Sequence, residues 1–245
     1  MGTEQGSDAA KNAAGGDEVL LGEAARRAAA LVRSGMTIGM GTGRAASLTL
    51  RLLAQRVQQE GLRIRGVSTS ERTAALAREL GLEMTTLEEA PRLDLDLDGA
   101  DEVDPRLNLV KGLGGALLRE KIVAQASDQL VIVVDESKLV SRLGAHAPLP
   151  VEVAPFGWQS TARALRGLGL QPTQRLAQGA PFRTDSGNYI LDCRPTGDAP
   201  ADVIALSGAI KGLTGVVEHG LFVGMAAQVI VATAAGTARV LYREG

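Results

Sequence analysis

The stretch Leu93-Asp-Leu-Asp-Leu-Asp98-Gly-Ala-Asp101-Glu102, with Lys111-Gly-Leu-Gly-Gly-Ala-Leu-Leu-Arg-Glu120-Lys121 after it, decides the fold. Leu93, Leu95 and Leu97 alternate with Asp94, Asp96 and Asp98, the period of two that marks a strand. The strand stops at Asp98-Gly99, a glycine-rich loop opens at Lys111, and a helix carrying Glu120 follows. Acids, a lysine and a phosphate-sized glycine cradle within one small pocket suit sugar-phosphate chemistry.

Outward from this segment, helix and strand signals alternate. Glu18 to Arg33 has helical spacing, with Gly35 as its expected cap. A short apolar strand, Met36 to Met40, runs into Gly41-Thr42-Gly43, and Ala45 to Val57 is helical again. Ile64 to Ser68 reads as a strand, Glu71 to Leu80 as a helix stopped by Gly81, and Leu130 to Val134 as a strand buried on both faces. Such alternation predicts an α/β fold, a parallel sheet with helices on each side.

The texture changes after Gly144. Pro148, Pro150 and Pro155 break regularity, Gln159 to Leu168 and Ala201 to Leu213 look helical, and Thr184 to Asn188 suggests a hairpin before Ile190 to Cys193. A small α+β domain is expected there. Apolar strand patterns return from Gly215.

Composition narrows the function. The 245 residues are 45% hydrophobic but only 2% aromatic, so the core must be built from Ala, Val, Leu and Ile. A net charge of -2 gives no basic footprint for nucleic acid and no polybasic membrane patch. Cys193, the single cysteine, and the two histidines cannot form a zinc site, so Cys193 is taken as a small apolar strand residue. Residues 1–16 read as a disordered tail without a leader pattern, and the protein is expected to be soluble and cytoplasmic.

Several side chains could carry chemistry. Gly41-Thr42-Gly43 joins a strand to a helix, where free N–H groups and the helix dipole favour a phosphate. A plain tight turn explains the same glycines, and Ser68-Thr69-Ser70 stands where a dinucleotide site would want an acid. Asp98, at a strand end beside a glycine, reads as functional, while Asp94 and Asp96 are taken to line a wet face. Asp101-Glu102 can also serve to cap a turn. Glu120 has Ala116, Leu117, Val123 and Ala124 as its helical neighbours. A carboxylate in an apolar stripe is either ion-paired with Lys121 or Arg119 or desolvated, and desolvation raises its pKa toward that of a general base. Lys111 and Lys138 follow strand ends and are placed to meet an anion; His146 and His219 are read as structural.

The chain resembles the ribose-5-phosphate isomerase family of the A type over nearly all its length after the tail. The blocks that carry the likeness are Gly41-Thr42-Gly43, Asp98 to Glu102, Lys111 to Lys121, Asp135-Glu-Ser-Lys138-Leu-Val, Pro148-Leu-Pro-Val-Glu-Val, Ser186-Gly-Asn-Tyr-Ile-Leu-Asp192 and Gly215 to Phe222. The resemblance implies a Rossmann-like domain (residues 17–147 and 214–245) with an inserted ferredoxin-like α+β lid (148–213). It implies a metal-free enzyme without cofactor, and a homodimer or homotetramer. Interconversion of D-ribose 5-phosphate and D-ribulose 5-phosphate through an enediolate, in the non-oxidative pentose phosphate pathway, is the implied reaction. Its implied catalytic residues are Glu120, Asp98, Asp101 and Lys111. Its implied substrate-binding set is Thr42, Gly43, Arg44, Ala45, Asp98, Gly99, Ala100, Asp101, Lys111, Gly112, Leu113, Gly114 and Lys138. Two departures stand out: Arg44-Ala45 replaces the family's common Ser-Thr, and Leu113 interrupts a glycine run. A non-catalytic sugar-phosphate sensor and an acyl-CoA transferase using Glu120 as nucleophile are the rivals on related folds. The sensor wants a DNA-binding helical motif, the transferase a larger chain.

Overall fold

The computed structural model describes residues 19–197 and 202–243, so the expected tail lies outside the described residues. Its main layer is a seven-stranded sheet with the order β16-β15-β7-β4-β1-β2-β3. The strands are β1 (Thr37–Met40), β2 (Arg65–Ser68), β3 (Glu83–Met84), β4 (Leu95–Asp98), β7 (Leu130–Asp135), β15 (Ala226–Ala232) and β16 (Ala238–Tyr242). Every pairing is parallel except β15 with β16, an antiparallel edge made by the tight return at Thr233–Thr237. Helices α1 (19–30), α2 (Arg44–Glu60), α3 (Glu71–Glu79) and α4 (Leu117–Ala126) connect and cover the sheet.

Leucine and aspartate divide β4 between its two faces. Leu95 and Leu97 join the core of Leu21, Ala28, Ile38, Met40, Leu50 and Leu53 beneath α1 and α2. Asp96 and Asp98 point to the other face, toward α4, and both are buried. The wet-face expectation therefore holds for Asp94, which is exposed and accepts the Thr37 N–H, and fails for Asp96. Alternation separates two faces, but both are covered when helices pack on each side.

Helix α1 gives way to a turn at Leu31, before the expected Gly35 cap. The Arg56 guanidinium accounts for this: it donates to the carbonyls of Ala29 and Val32, partners that would otherwise have to come from further helix.

The inserted region forms a second, four-stranded antiparallel sheet of order β13-β8-β12-β9. Its strands are β8 (Leu149–Val153), β9 (Leu170–Gln174), β12 (Tyr189–Pro195) and β13 (Val216–His219), with α5 (Trp158–Gly167) after β8 and α6 (Val203–Lys211) before β13. A β-α-β-β-α-β run with the first strand central is the ferredoxin-like arrangement. Leu149, Val151, Val153, Leu165, Leu191, Cys193 and Ile210 pack into its own core. The expected helix at Ala201–Leu213 begins outside the described residues.

Two expectations change here. Pro150 does not break regularity but lies inside β8, extended, with its carbonyl accepting from Gly220 at 2.7 Å. The tight hairpin comes earlier than Thr184–Asn188, between β10 (Leu176–Ala177) and β11 (Ala180–Pro181). Thr184–Asn188 is a further turn leading into β12, whose antiparallel partners are β8 and β9. A third sheet, β14-β6-β5, joins Leu221–Phe222 to Leu109–Val110 and Glu102–Val103. Within it Glu102 caps no turn of its own: its buried carboxylate accepts the N–H groups of Gly144, His146 and Ala147 and pins the crossing to the second sheet.

Candidate active site

In an open parallel sheet, ligands sit at the carboxyl ends of strands where the strand order reverses. Here that point falls between β1 and β4. A cavity of about 220 Å³ opens there. Thr42 to Ala45 form one wall, Gly99 to Asp101 a second, and Lys111, Gly112, Gly114 and Glu120 a third. Lys138 also lines the cavity, on a short 3-10 turn (Glu136–Lys138) that Asp135 caps through the Ser137 N–H.

The first wall is fixed by close approach. A Cβ on Gly41 would overlap the Asp98 carboxylate, so only glycine lets the loop cross β4. The Thr42 N–H donates to Asp98 Oδ1 at 3.0 Å. Thr42 Oγ1 lies 2.8 Å from the hydroxyls of Thr69 and Ser70 and 3.0 Å from that of Thr73. The hydroxyls that follow β2 thus lock the loop in place of binding a ribose. Gly43, with φ at 115°, turns the chain into α2, whose start carries no side-chain cap.

Glu120 rises from the first turn of α4 and is 3% exposed. Burial is the largest influence on it; Lys111 opposes and Asp98 and Asp101 reinforce, leaving its pKa raised to about 8. Lys111 Nζ stands 3.5 Å from Glu120 Oε2 and 2.9 Å from Asp98 Oδ2, and donates to the Gly99 carbonyl at 2.6 Å. Burial works against the Lys111 charge, but Asp98 and Glu120 outweigh it and raise its pKa. The Phe222 ring lies 5.5 Å from the same ammonium. Asp101 accepts the Leu113 N–H at 2.9 Å, and burial raises its pKa against that bond and Lys111.

The structure brings together all the sequence-predicted site residues with two qualifications. Asp98 is sealed behind the cavity wall, 1% exposed, and reaches the site only through Lys111 and the loop amides of Thr42 and Gly99. Leu113 turns its side chain outward, 42% exposed, and contributes its backbone. Leu21, Val133, Val134 and Asp135 also line the cavity and were missed. The Asp135 motif was visible as a block, but Leu21 belongs to an ordinary amphipathic helix and carried no signal.

Neither Lys121 nor Arg119 pairs with Glu120. Lys121 donates to Glu218 at 2.9 Å, and Arg119 to Glu71 at 2.8 Å. His219 is buried beside Lys121, its ring Nδ1 accepting the Leu221 N–H, and burial lowers its pKa to about 4. Among the described residues no helix is long and apolar enough to cross a membrane.

A strand-end cavity walled by a helix start, two lysines and a buried acid of raised pKa defines an enzyme of small anionic substrates. The family model of ribose 5-phosphate isomerase A (phosphoriboisomerase A) matches residues 65–236. A ribose-5-phosphate isomerase A of Gloeobacter violaceus is 56% identical over 221 residues, 89% of this chain and 94% of that one. One of Thermomicrobium roseum is 52% identical over 223 residues, 90% and 93% of the two chains. The solved ribose 5-phosphate isomerase of Plasmodium falciparum superposes with a TM-score of 0.88 at 36% identity, covering 94% of this chain and 100% of that one. A further D-ribose-5-phosphate isomerase structure, in complex with phospho-erythronic acid, gives 0.86 at 33% identity, covering 90% and 96%. The chain belongs to the ribose 5-phosphate isomerase A family, and it is an isomerase of ribose 5-phosphate.

Proposed function

We propose that Glu120 moves the proton between C2 and C1 of the open-chain sugar phosphate, through an enediolate that Lys111 stabilises. The observation that carries this is the buried Glu120–Lys111 pair on the cavity wall. A carboxylate of pKa about 8 is a strong enough base to take a carbon-bound proton and is easily reprotonated near neutrality. An ammonium held permanently charged 3.5 Å away meets the oxygen that becomes anionic. Ring opening passes the anomeric hydroxyl proton to the ring oxygen, and that transfer is assigned to Asp101, which lines the wall and is held by the Leu113 N–H. Asp98 is assigned a positioning role, since its two oxygens hold Lys111 and the Thr42 loop. The uncapped start of α2 with Arg44, together with Lys138, forms the proposed phosphate site.

The same reading takes residues 148–213 as an inserted lid, whose sheet β13 completes, and the enzyme as a cytoplasmic homodimer or homotetramer of the pentose phosphate pathway that uses no metal or cofactor. A coupled assay with ribose 5-phosphate in the presence of EDTA tests the reaction; turnover that vanishes with the chelator would contradict it. Light scattering measures the assembly.

A further inference from the structure

The Ser186–Asp192 motif takes no direct part in the chemistry above, yet it ends on a residue tied to the active-site loop. Asp192 on β12 receives the Arg175 guanidinium in a two-pronged pair, Nε to Oδ2 at 2.9 Å and Nη2 to Oδ1. The remaining nitrogen, Nη1, donates to the carbonyls of Gly112 and Leu113, each at 3.0 Å. The Arg175 side chain is 13% exposed, and its Cζ lies 5.7 Å from the centre of the Phe182 ring. That ring in turn rests on Gly115, where φ is 84° and a Cβ would come within 2.5 Å of it. One arginine, in the link between β9 and β10, thus grips the glycine-rich loop of the first domain.

Peptide geometry converts the grip into an orientation. In a trans peptide the C=O and the following N–H point in opposite directions, and no cis bond occurs among the described residues. With the Gly112 carbonyl on Arg175, the Leu113 N–H faces away and meets Asp101 at 2.9 Å. With the Leu113 carbonyl on Arg175, the Gly114 N–H faces away too, on the side where Gly114 lines the cavity.

We propose that Arg175, held by Asp192, is a positioning residue for the isomerisation. Through the two carbonyls it fixes the Gly114 N–H as a donor to the enediolate oxygen and the Leu113 N–H as the bond that orients Asp101. A donor aimed at developing charge acts in the transition state more than in the ground state, so its loss falls on kcat. The proposal rests on the assignment of Glu120 and Lys111 as the reacting pair.

The test is steady-state kinetics of Arg175→Ala, Arg175→Lys and Asp192→Asn beside Glu120→Gln, with thermal melts of each. Arg175→Ala should lower kcat about 100-fold, the cost of a misplaced catalytic group, with KM changed less than about threefold. Arg175→Lys should fall nearly as far, because one ammonium cannot span Asp192 and both carbonyls. Asp192→Asn, which keeps the arginine but frees it, should lose about tenfold and carries the test if Arg175→Ala does not fold. Added guanidinium should restore part of the Arg175→Ala activity and none of that of Asp192→Asn. Unchanged kcat in all three variants, a loss confined to KM, or a loss without guanidinium rescue would overturn the clasp. Normal turnover in Glu120→Gln would instead overturn the active-site assignment itself.

Discussion

Glu120 and Lys111 face each other across 3.5 Å with side chains 4% and 2% exposed, and the pairing leaves each with a distinct task. Lys111 has a second anion, Asp98, at 2.9 Å, so it stays charged whichever way Glu120 titrates. Glu120 has only a share of one cation, and burial leaves it holding its proton up to about pH 8. A permanently charged electrophile beside a carboxyl that exchanges its proton easily is what an enediolate mechanism requires.

That asymmetry sets the pH profile. The base works deprotonated, so kcat/KM should climb with pH and level off above about 8. Glu120→Gln should lower kcat by about 10²–10⁴ with a modest change in KM. Near-normal turnover in the variant would sink the assignment.

The same group should cost stability. Its folded pKa is raised above the ordinary value of 4.5, so the fold binds the proton more tightly than the unfolded chain does. Glu120 therefore contributes stability below about pH 4.5 that is lost as pH rises through about 8. Melting curves should show Glu120→Gln gaining on the parent across that window, with the largest advantage at the alkaline end. A constant difference between the two proteins from pH 5 to 9 would contradict this.

Gly41→Ala tests why the loop is glycine. Gly41 has no positive φ, so its backbone tolerates alanine, and the penalty comes from contact alone. The new methyl would meet the Asp98 carboxylate and come within 2.5 Å of the Leu97 carbonyl. Displacing Asp98 releases both Lys111 and the Thr42 amide, so kcat/KM should fall at least about tenfold. Full activity in the alanine variant would show that the loop moves freely.

Glu218 joins α4 to the second sheet. It accepts from Lys121 at 2.9 Å and Lys211 at 2.7 Å, and its neighbour His219 is structural. Burial raises its pKa, but the two lysine bonds outweigh that and bring it down to about 2. A depressed carboxyl pKa gives stability that is present above the unfolded value of 4.5 and is lost as pH falls through about 2. Acid titration of the melting temperature should be shallower in Glu218→Gln between pH 4.5 and 2, and an unchanged slope would rule the linkage out.

What the sequence disclosed follows from the range of the forces involved. Period-two alternation in β4 and apolar runs such as β7 are local, so the sheet was legible, as was the isolation of Glu120 among Ala116, Leu117, Val123 and Ala124. Asp96 was misread because its burial depends on α4 packing across the sheet, and composition alone does not reveal a covered face. Both of its carboxyl oxygens are buried without a hydrogen-bond partner, and burial raises its pKa well above the usual range. Arg175 was invisible for a related reason: it lies 62 residues from the Leu113 carbonyl it holds, and only the fold brings them together.

Arg44 yields the most exposed prediction. It opens α2 directly behind Gly43, on the cavity wall, where the helix already presents its positive end. A guanidinium at that end is unfavourable for the helix by itself. A phosphate dianion bound there would reverse the balance, since guanidinium can grip two oxygens at once. A charged hydrogen bond of about 1.5–3 kcal/mol corresponds to roughly a tenfold or larger change in affinity. The phosphate does not change between substrate and enediolate, so the contact is uniform, and Arg44→Ala should raise KM about tenfold with kcat nearly unchanged. Inorganic phosphate, which competes for the same group, should inhibit the variant correspondingly less. Equal phosphate inhibition in both proteins would make Arg44 a surface residue and leave the phosphate to Lys138 and the α2 amides.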